Sequence, residues 1–319
     1  MKKTTKIISL ILSLVLIFTI SVSAFAEGLP KGAVLVTDST KIKTDDFRVV
    51  AYRGLSACAP ENTLAAIGLA GRCGCYGCEI DVQPTLDGRW ICLSDLYLDS
   101  LTTGTGLVNA ISYADLANLK IDAGNNISEY PNEKIPTVEE AVSMCQLYGM
   151  KIILTIKNGT AENIDSLLSS LRLLGIIKST TIISTNPDIL KQVRDAGGSP
   201  AYNCLAITDS TVSNCISNGY IGISAATTLS STAAMKKAAE KGLEVYAFDI
   251  DTLAKAESFY QNGVKTVVSS SLVMHEPDAE NVAASVFSKL TSFFKTIVEF
   301  FTKIFRQIFL NLALEEIFG

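Results

Sequence analysis

Three apolar, β-branched stretches of this 319-residue chain run into residues that can do chemistry. The first ends in Tyr52-Arg53-Gly54, the second contains Glu79-Ile80-Asp81, and a later one ends in Thr155-Ile156-Lys157. Residues two apart along a strand share a face, so Glu79 and Asp81 project together. Two carboxylates on one side of a buried strand are costly unless they meet a cation or pair with bases. Their oxygens suit magnesium or calcium, whereas Arg53 and Lys157 suit a phosphate. Simpler roles are open for each. Arg53 can pair with Glu79 or Asp81 as a structural ion pair. Lys157 pairing with Asp81 would put an ammonium where a metal would otherwise sit. Glu61, directly after Pro60, reads as a helix-start residue rather than a ligand. Gly104 and Gly106 serve a turn.

These groups need elements to hold them. Candidate strands fall at 47–52, 77–82, 90–93, 152–156, 181–184, 201–207, 220–224, 244–248 and 266–269. Several are apolar at nearly every position, as expected of strands buried on both faces. Helix-like stretches separate them. The segment 63–73 follows Pro-Glu-Asn-Thr, and 137–147 opens with the capping-box pattern Thr137-x-x-Glu140. The stretches 188–196 and 232–241 are each followed by glycine, a helix stop. Repeated strand–helix units imply parallel strands covered by helices. The expected fold is an α/β TIM-type (β/α)8 barrel, whose functional residues sit at the C-terminal strand ends. Nine candidates for eight staves leave one surplus, and an open doubly wound sheet is the rival. The irregular segment 94–136 is expected to form a partly ordered insertion over the C-terminal face.

In chain order, Arg53-Gly54, Pro60-Glu61-Asn62-Thr63, Glu79-x-Asp81, Thr85-x-Asp87-Gly88, Asp95, Thr102-Thr103-Gly104-x-Gly106, Ile135-Pro136-Thr137 and Lys157 resemble the motifs of glycerophosphodiester phosphodiesterases. The resemblance is strong from Val49 to about Lys157 and weaker to about Leu272. It implies metal-assisted hydrolysis of a glycerophosphodiester to an alcohol and glycerol 3-phosphate. In that scheme two histidines act as general acid and base, and three carboxylates hold calcium or magnesium. Here Tyr52 and Ser94 occupy the histidine positions, and Thr155 occupies the third carboxylate position. A Trp-Thr-x-Asn strand end common in the family reads Ala247-Phe248-x-Ile250, and a Thr-Asp reads Ser269-Ser270. The chain's one histidine, His275, matches neither catalytic position and reads as a surface-loop residue. Each lost acid or base is worth roughly 10²- to 10⁴-fold, and a phenol with an ordinary pKa of about 10 replaces one poorly. The expectation is a catalytically degenerate domain. By the resemblance, it binds a phosphorylated polyol or glycerophosphodiester through Arg53, Lys157 and Asp95, with metal at Glu79 and Asp81 in doubt. The alternative is an active metal-dependent phosphoric diester hydrolase with altered catalytic residues, in which Asp95 serves as a weak base.

The two ends differ from the middle. Lys2, Lys3 and Lys6 precede an apolar run and Ala24-Phe25-Ala26, a secretory signal pattern over 1–26. An approach segment follows over 27–46, then the barrel over 47–278. Residues 279–319 carry Phe and Ile at helical spacing with interleaved lysines, an amphipathic pattern. Its 286–310 stretch suits a membrane surface or a protein partner, on an exported, extracellular or cell-surface protein. A net charge of −5 gives no basic footprint for nucleic acid. The eight cysteines are irregularly spaced. Cys73-x-Cys75-x-x-Cys78 has no second Cys/His pair at zinc-site spacing, so small buried thiols are expected.

Overall fold

In a computed structural model of the chain, the described residues are 28–37 and 41–277. The signal-peptide reading of 1–26 and the amphipathic-helix reading of 279–319 lie outside them. The strands in order are β1 (Val34–Leu35), β2 (Arg48–Tyr52), β3 (Gly77–Pro84), β4 (Trp90–Cys92), β5 (Lys151–Ile156), β6 (Thr180–Ser184), β7 (Ser199–Asn203), β8 (Gly222–Ala226), β9 (Glu244–Phe248), β10 (Thr266–Ser269) and β11 (Leu272–Val273). The α-helices are α1 (Leu64–Arg72), α2 (Tyr113–Leu116), α3 (Val138–Tyr148), α4 (Ile164–Leu173), α5 (Pro187–Asp195), α6 (Asp209–Ser217), α7 (Thr232–Glu240) and α8 (Leu253–Gln261).

Eight strands, β2, β3 and β5 to β10, pair in parallel in that order, and β10 closes onto β2. Closure removes the open-sheet rival. The surplus strand is β4, which runs antiparallel to β3 with Val82 opposite Cys92. The Thr85–Arg89 turn explains it. Thr85 and Arg89 pair through their backbones, Asp87 accepts from the Thr85 hydroxyl, and Gly88 takes φ +77°. A hairpin arm and a barrel stave are equally apolar, so periodicity cannot separate them. Helices α4, α6 and α8 fill gaps that the sequence reading left unassigned.

Alternation along each stave divides two cores. Val50, Ile153, Ile183, Ala201, Tyr246 and Val268 fill the barrel interior, with Tyr52 and Phe248 packed against them. Cys78, Ile80 and Val82 join the outer core beneath the helices, with Ile67, Val142 and Leu167. The intervening Glu79 and Asp81 therefore project inward. Caps fix the helices that bracket β3. Thr63 accepts from the Ala66 N–H, and Thr137 and Glu140 complete a capping box.

Residues 94–136 form an ordered lobe, where a partly ordered insertion was expected. Leu98, Val108, Leu116, Ile121 and Ile135 make its own core with Ile91 and Leu93. Asn125 and Asn126 donate to the Ser56 and Cys58 carbonyls, which ties the lobe to the loop after β2. Gly106 takes φ +96°, as its turn role requires. Seven cysteines are buried, Cys204 is half-buried, and none is in a disulfide. Among the described residues no cluster of three or more His, Cys, Asp or Glu is arranged to hold a metal ion, Cys73, Cys75 and Cys78 included.

Gly54 links fold to site. It takes φ +75°, and an added Cβ would lie 2.6 Å from the Ala66 carbonyl carbon in α1. Both the conformation and the backbone clash oppose a side chain, so Gly54→Ala is expected to cost about 3 kcal/mol or more. Urea unfolding of the purified variant checks this; a loss under about 1 kcal/mol would mean α1 shifts freely.

Candidate active site

The strand register brings the predicted residues to one end of the barrel. Tyr52 lies opposite Glu79, and Asp81 opposite Thr155. Tyr52, Glu79, Asp81, Thr155 and Lys157 line a cavity of about 350 Å³ at the C-terminal strand ends, together with Asn203, Phe248 and Asp249. The last three stand at the ends of β7 and β9 and were not assigned to the site from sequence. Phe248 and Asp249 fall at the end of the candidate strand 244–248, which was the signal available; Asn203 lay inside the candidate strand 201–207, which the structure ends at Asn203.

Arg53 organises the polar groups. Its backbone is left-handed, φ 56°, an uncommon conformation outside glycine. That turn at the end of β2 directs the Arg53 N–H to Glu79 Oε2, 3.2 Å away. The guanidinium donates from Nη1 to both Glu61 oxygens at 2.9 Å and sets Nε 2.7 Å from Asp81 Oδ2. Its Cζ also sits 4.6 Å from the centre of the Tyr52 ring. Lys157 Nζ approaches Asp81 Oδ1 at 3.7 Å. The Pro60–Thr63 stretch serves three purposes at once. Glu61 binds Arg53, Asn62 accepts from the Asp81 N–H at 2.9 Å, and Thr63 caps α1. The helix-start reading of Glu61 is thus corrected: the capping falls to Thr63, and Glu61 completes the arginine cage. Arg53 pairs with Asp81, as the ion-pair reading anticipated.

Ser94 is buried and its hydroxyl donates to Glu61, so it joins the same network two residues removed from Asp81. Asp95 diverges from expectation. It is exposed, accepts from the Ser100 hydroxyl, and does not line the cavity. Its backbone carbonyl, not its carboxylate, is held inward by Gln83. His275 is remote. Its ring packs on Gly74, in the turn that leads into the N-terminal end of β3. That is the opposite end of the barrel, and His275 is exposed there, in keeping with its surface-loop reading.

Charge around Asp81 is balanced without Glu79. Arg53 and Lys157 face Glu61 and Asp81. Glu79 is 1% exposed, and burial, then repulsion from Asp81, pushes its carboxyl up to about 8. Burial also raises Asp81, against the opposing pull of Arg53 and Lys157. The Tyr52 phenol is raised by burial above its ordinary value. The Thr155 hydroxyl eases the charge on Glu79 but makes no hydrogen bond of normal geometry, leaving a buried oxygen without a partner.

A divalent cation fits this donor set poorly. Two carboxylates remain, one of them held by two basic side chains, and the third position offers a threonine hydroxyl. Millimolar calcium or magnesium is expected to leave the melting temperature of the parent nearly unchanged and to raise that of Thr155→Glu. Equal shifts in both proteins would overturn this assignment of the missing ligand.

Residues 53–271 match the Glycerophosphoryl diester phosphodiesterase family. Glycerophosphodiester phosphodiesterase 1 of Bos taurus is 32% identical over 152 residues, 47% of this chain and 46% of that protein. Glycerophosphodiester phosphodiesterase of Caldanaerobacter subterraneus is 36% identical over 112 residues, 35% of this chain and 45% of that protein. The chain spans about half the length of the curated relatives it matches. An Oleispira antarctica phosphodiesterase, solved with its product sn-glycerol-3-phosphate, superposes with a TM-score of 0.63 at 28% identity, covering 75% of this chain and 96% of the other. With a closed eight-stranded barrel carrying Arg53, Glu61, Glu79 and Asp81 at its mouth, the chain belongs to the glycerophosphoryl diester phosphodiesterase family.

Proposed function

We propose that this domain is a catalytically degenerate member of its family that binds glycerophosphodiesters or phosphorylated polyols. One observation carries the reading: among the described residues no imidazole lines the cavity, and by the resemblance Tyr52 and Ser94 take the positions of the proton-transferring histidines. Tyr52, like any phenol, keeps its proton at neutral pH, and burial raises it further. Ser94 spends its hydroxyl as a hydrogen-bond donor to Glu61. Neither can take a proton from water or return one to a leaving alcohol at useful rates. Enzymes of this family generally use a divalent metal ion. Here Glu79 and Asp81 would hold it, yet Arg53 and Lys157 already neutralise Asp81, so no step is assigned to a metal.

Binding needs less than catalysis. Lys157 is a third exposed at its side chain, 32%, and its 3.7 Å approach to Asp81 is loose enough to turn toward a phosphate. The export signal pattern over 1–26 and the amphipathic tail over 279–319 support a cell-surface setting, with 286–310 meeting lipid or a protein partner.

The purified protein is expected to hydrolyse glycerophosphocholine, with calcium or magnesium, far below the 1 to 10³ s⁻¹ of ordinary enzymes. Glycerophosphocholine and sn-glycerol 3-phosphate are expected to raise its melting temperature by mass action. Turnover in the ordinary range that disappears in Glu79→Ala would establish instead an active hydrolase with altered catalytic residues.

A further inference from the structure

We propose that the barrel mouth selects glycerophosphodiesters whose alcohol carries an organic ammonium, with Phe248 and Asp249 as the recognising residues; this rests on the binding reading above. The first ground is charge. On the cavity wall Asp81 is met by Arg53 and by Lys157 at 3.7 Å, Glu79 is a buried carboxyl, and among the described residues the Asp249 carboxylate faces no cation. Arg53 is committed to Asp81 and Glu61. Lys157 can turn to the phosphate of any diester, but a diester bearing only negative charge brings nothing to meet Asp249. A zwitterionic diester brings its own positive charge and restores the balance.

The second ground is the shape of the β9 end. Consecutive residues of a strand normally point to opposite faces. Asp249, however, has φ 65°. This left-handed turn lets Phe248 and Asp249 line the same cavity. Among the described residues the Asp249 carboxylate has no hydrogen-bond or ion-pair partner; only its backbone carbonyl is engaged, by Lys255. Phe248 is half-buried and stands edge-on to Tyr52, with centroids 5.5 Å apart and planes at 79°. Arg53 covers one Tyr52 face, so Phe248 is the ring left to meet a ligand cation. An alkylated ammonium pairs well with an aromatic face beside a carboxylate. The third ground is Thr155, 8% exposed, whose unpartnered hydroxyl oxygen lines the same space. At about 350 Å³ the cavity suits a head group rather than a whole lipid.

Calorimetric titration of the full chain with glycerophosphocholine, glycerophosphoglycerol and sn-glycerol 3-phosphate tests this. Glycerophosphocholine is expected to bind about tenfold tighter than glycerophosphoglycerol, within the range of a cation–π contact and one ion pair. Asp249→Asn and Phe248→Leu should each remove most of that preference by weakening glycerophosphocholine binding. Asparagine tolerates the left-handed region, so the first variant keeps the turn. Equal affinity for the two diesters, or a preference that survives both substitutions, overturns the proposal. If none of the three ligands binds, the phosphodiester-binding reading falls with it, and if sn-glycerol 3-phosphate alone binds, only the ammonium subsite is refuted.

Discussion

The variant carrying Tyr52→His, Ser94→His and Thr155→Glu is expected to hydrolyse glycerophosphocholine at least about 10³-fold faster than the parent when calcium is added. The expectation follows from what each side chain now does. Tyr52 stands inside the barrel mouth beside Glu79, protonated and packed on Phe248. An imidazole there is smaller and titrates near neutrality. Ser94 reaches Glu61, which holds Arg53, which holds Asp81. A histidine at 94 would face the same chain of charges. Glutamate at 155 lies opposite Asp81 in register and supplies a third carboxylate. These groups act as a unit, so single reversions should recover little and the gains will not multiply. Product choline, measured against the parent under identical conditions, gives the readout. A triple variant that folds, gains melting temperature with calcium and still shows no turnover would mean that these three positions do not account for the loss.

Much of the site was legible because polar residues in buried strands are rare and period two fixes their direction. Glu79 and Asp81 could only point together, and the register places both inside the barrel. The closing pairing of β10 with β2 was not legible, since a parallel strand reads alike in a barrel and an open sheet. The contribution of Glu61 was hidden for a different reason. A carboxylate before a helix stabilises the helix start in most sequences, and only the left-handed turn at Arg53 reveals that it completes the guanidinium cage. Asp95 failed in the opposite sense. It lies in the bend past the end of β4, where Ser94 turns inward to Glu61 and the Asp95 carboxylate turns outward to Ser100. Asp249 escaped because its left-handed backbone breaks the alternation on which strand reading depends.

Stability should fall as pH rises from about 4.5 to about 8, and Glu79→Gln should abolish most of that fall. In the unfolded chain Glu79 ionises near its ordinary 4.5, while in the folded protein burial and Asp81 push it up to about 8. Between those values the folded state keeps a proton that the unfolded state has released. The unfolded state is thereby favoured increasingly with pH, by on the order of a few kcal/mol in all. Below the lower value both states are protonated and the full stability is present; above the upper value the loss is complete. Asp81, also raised by burial, adds in the same direction. Glutamine is neutral throughout and its carbonyl can still accept from the Arg53 N–H, so the variant should be the more stable protein at pH 8 and differ little from the parent near pH 5. Urea unfolding at three pH values separates the curves. Parallel curves would show that Glu79 is already ionised when folded, with a compensating cation beside it. Repeating the pH 8 measurement in calcium then identifies that cation: a metal held by Glu79 and Asp81 would stabilise the parent alone and reverse the order of the two proteins.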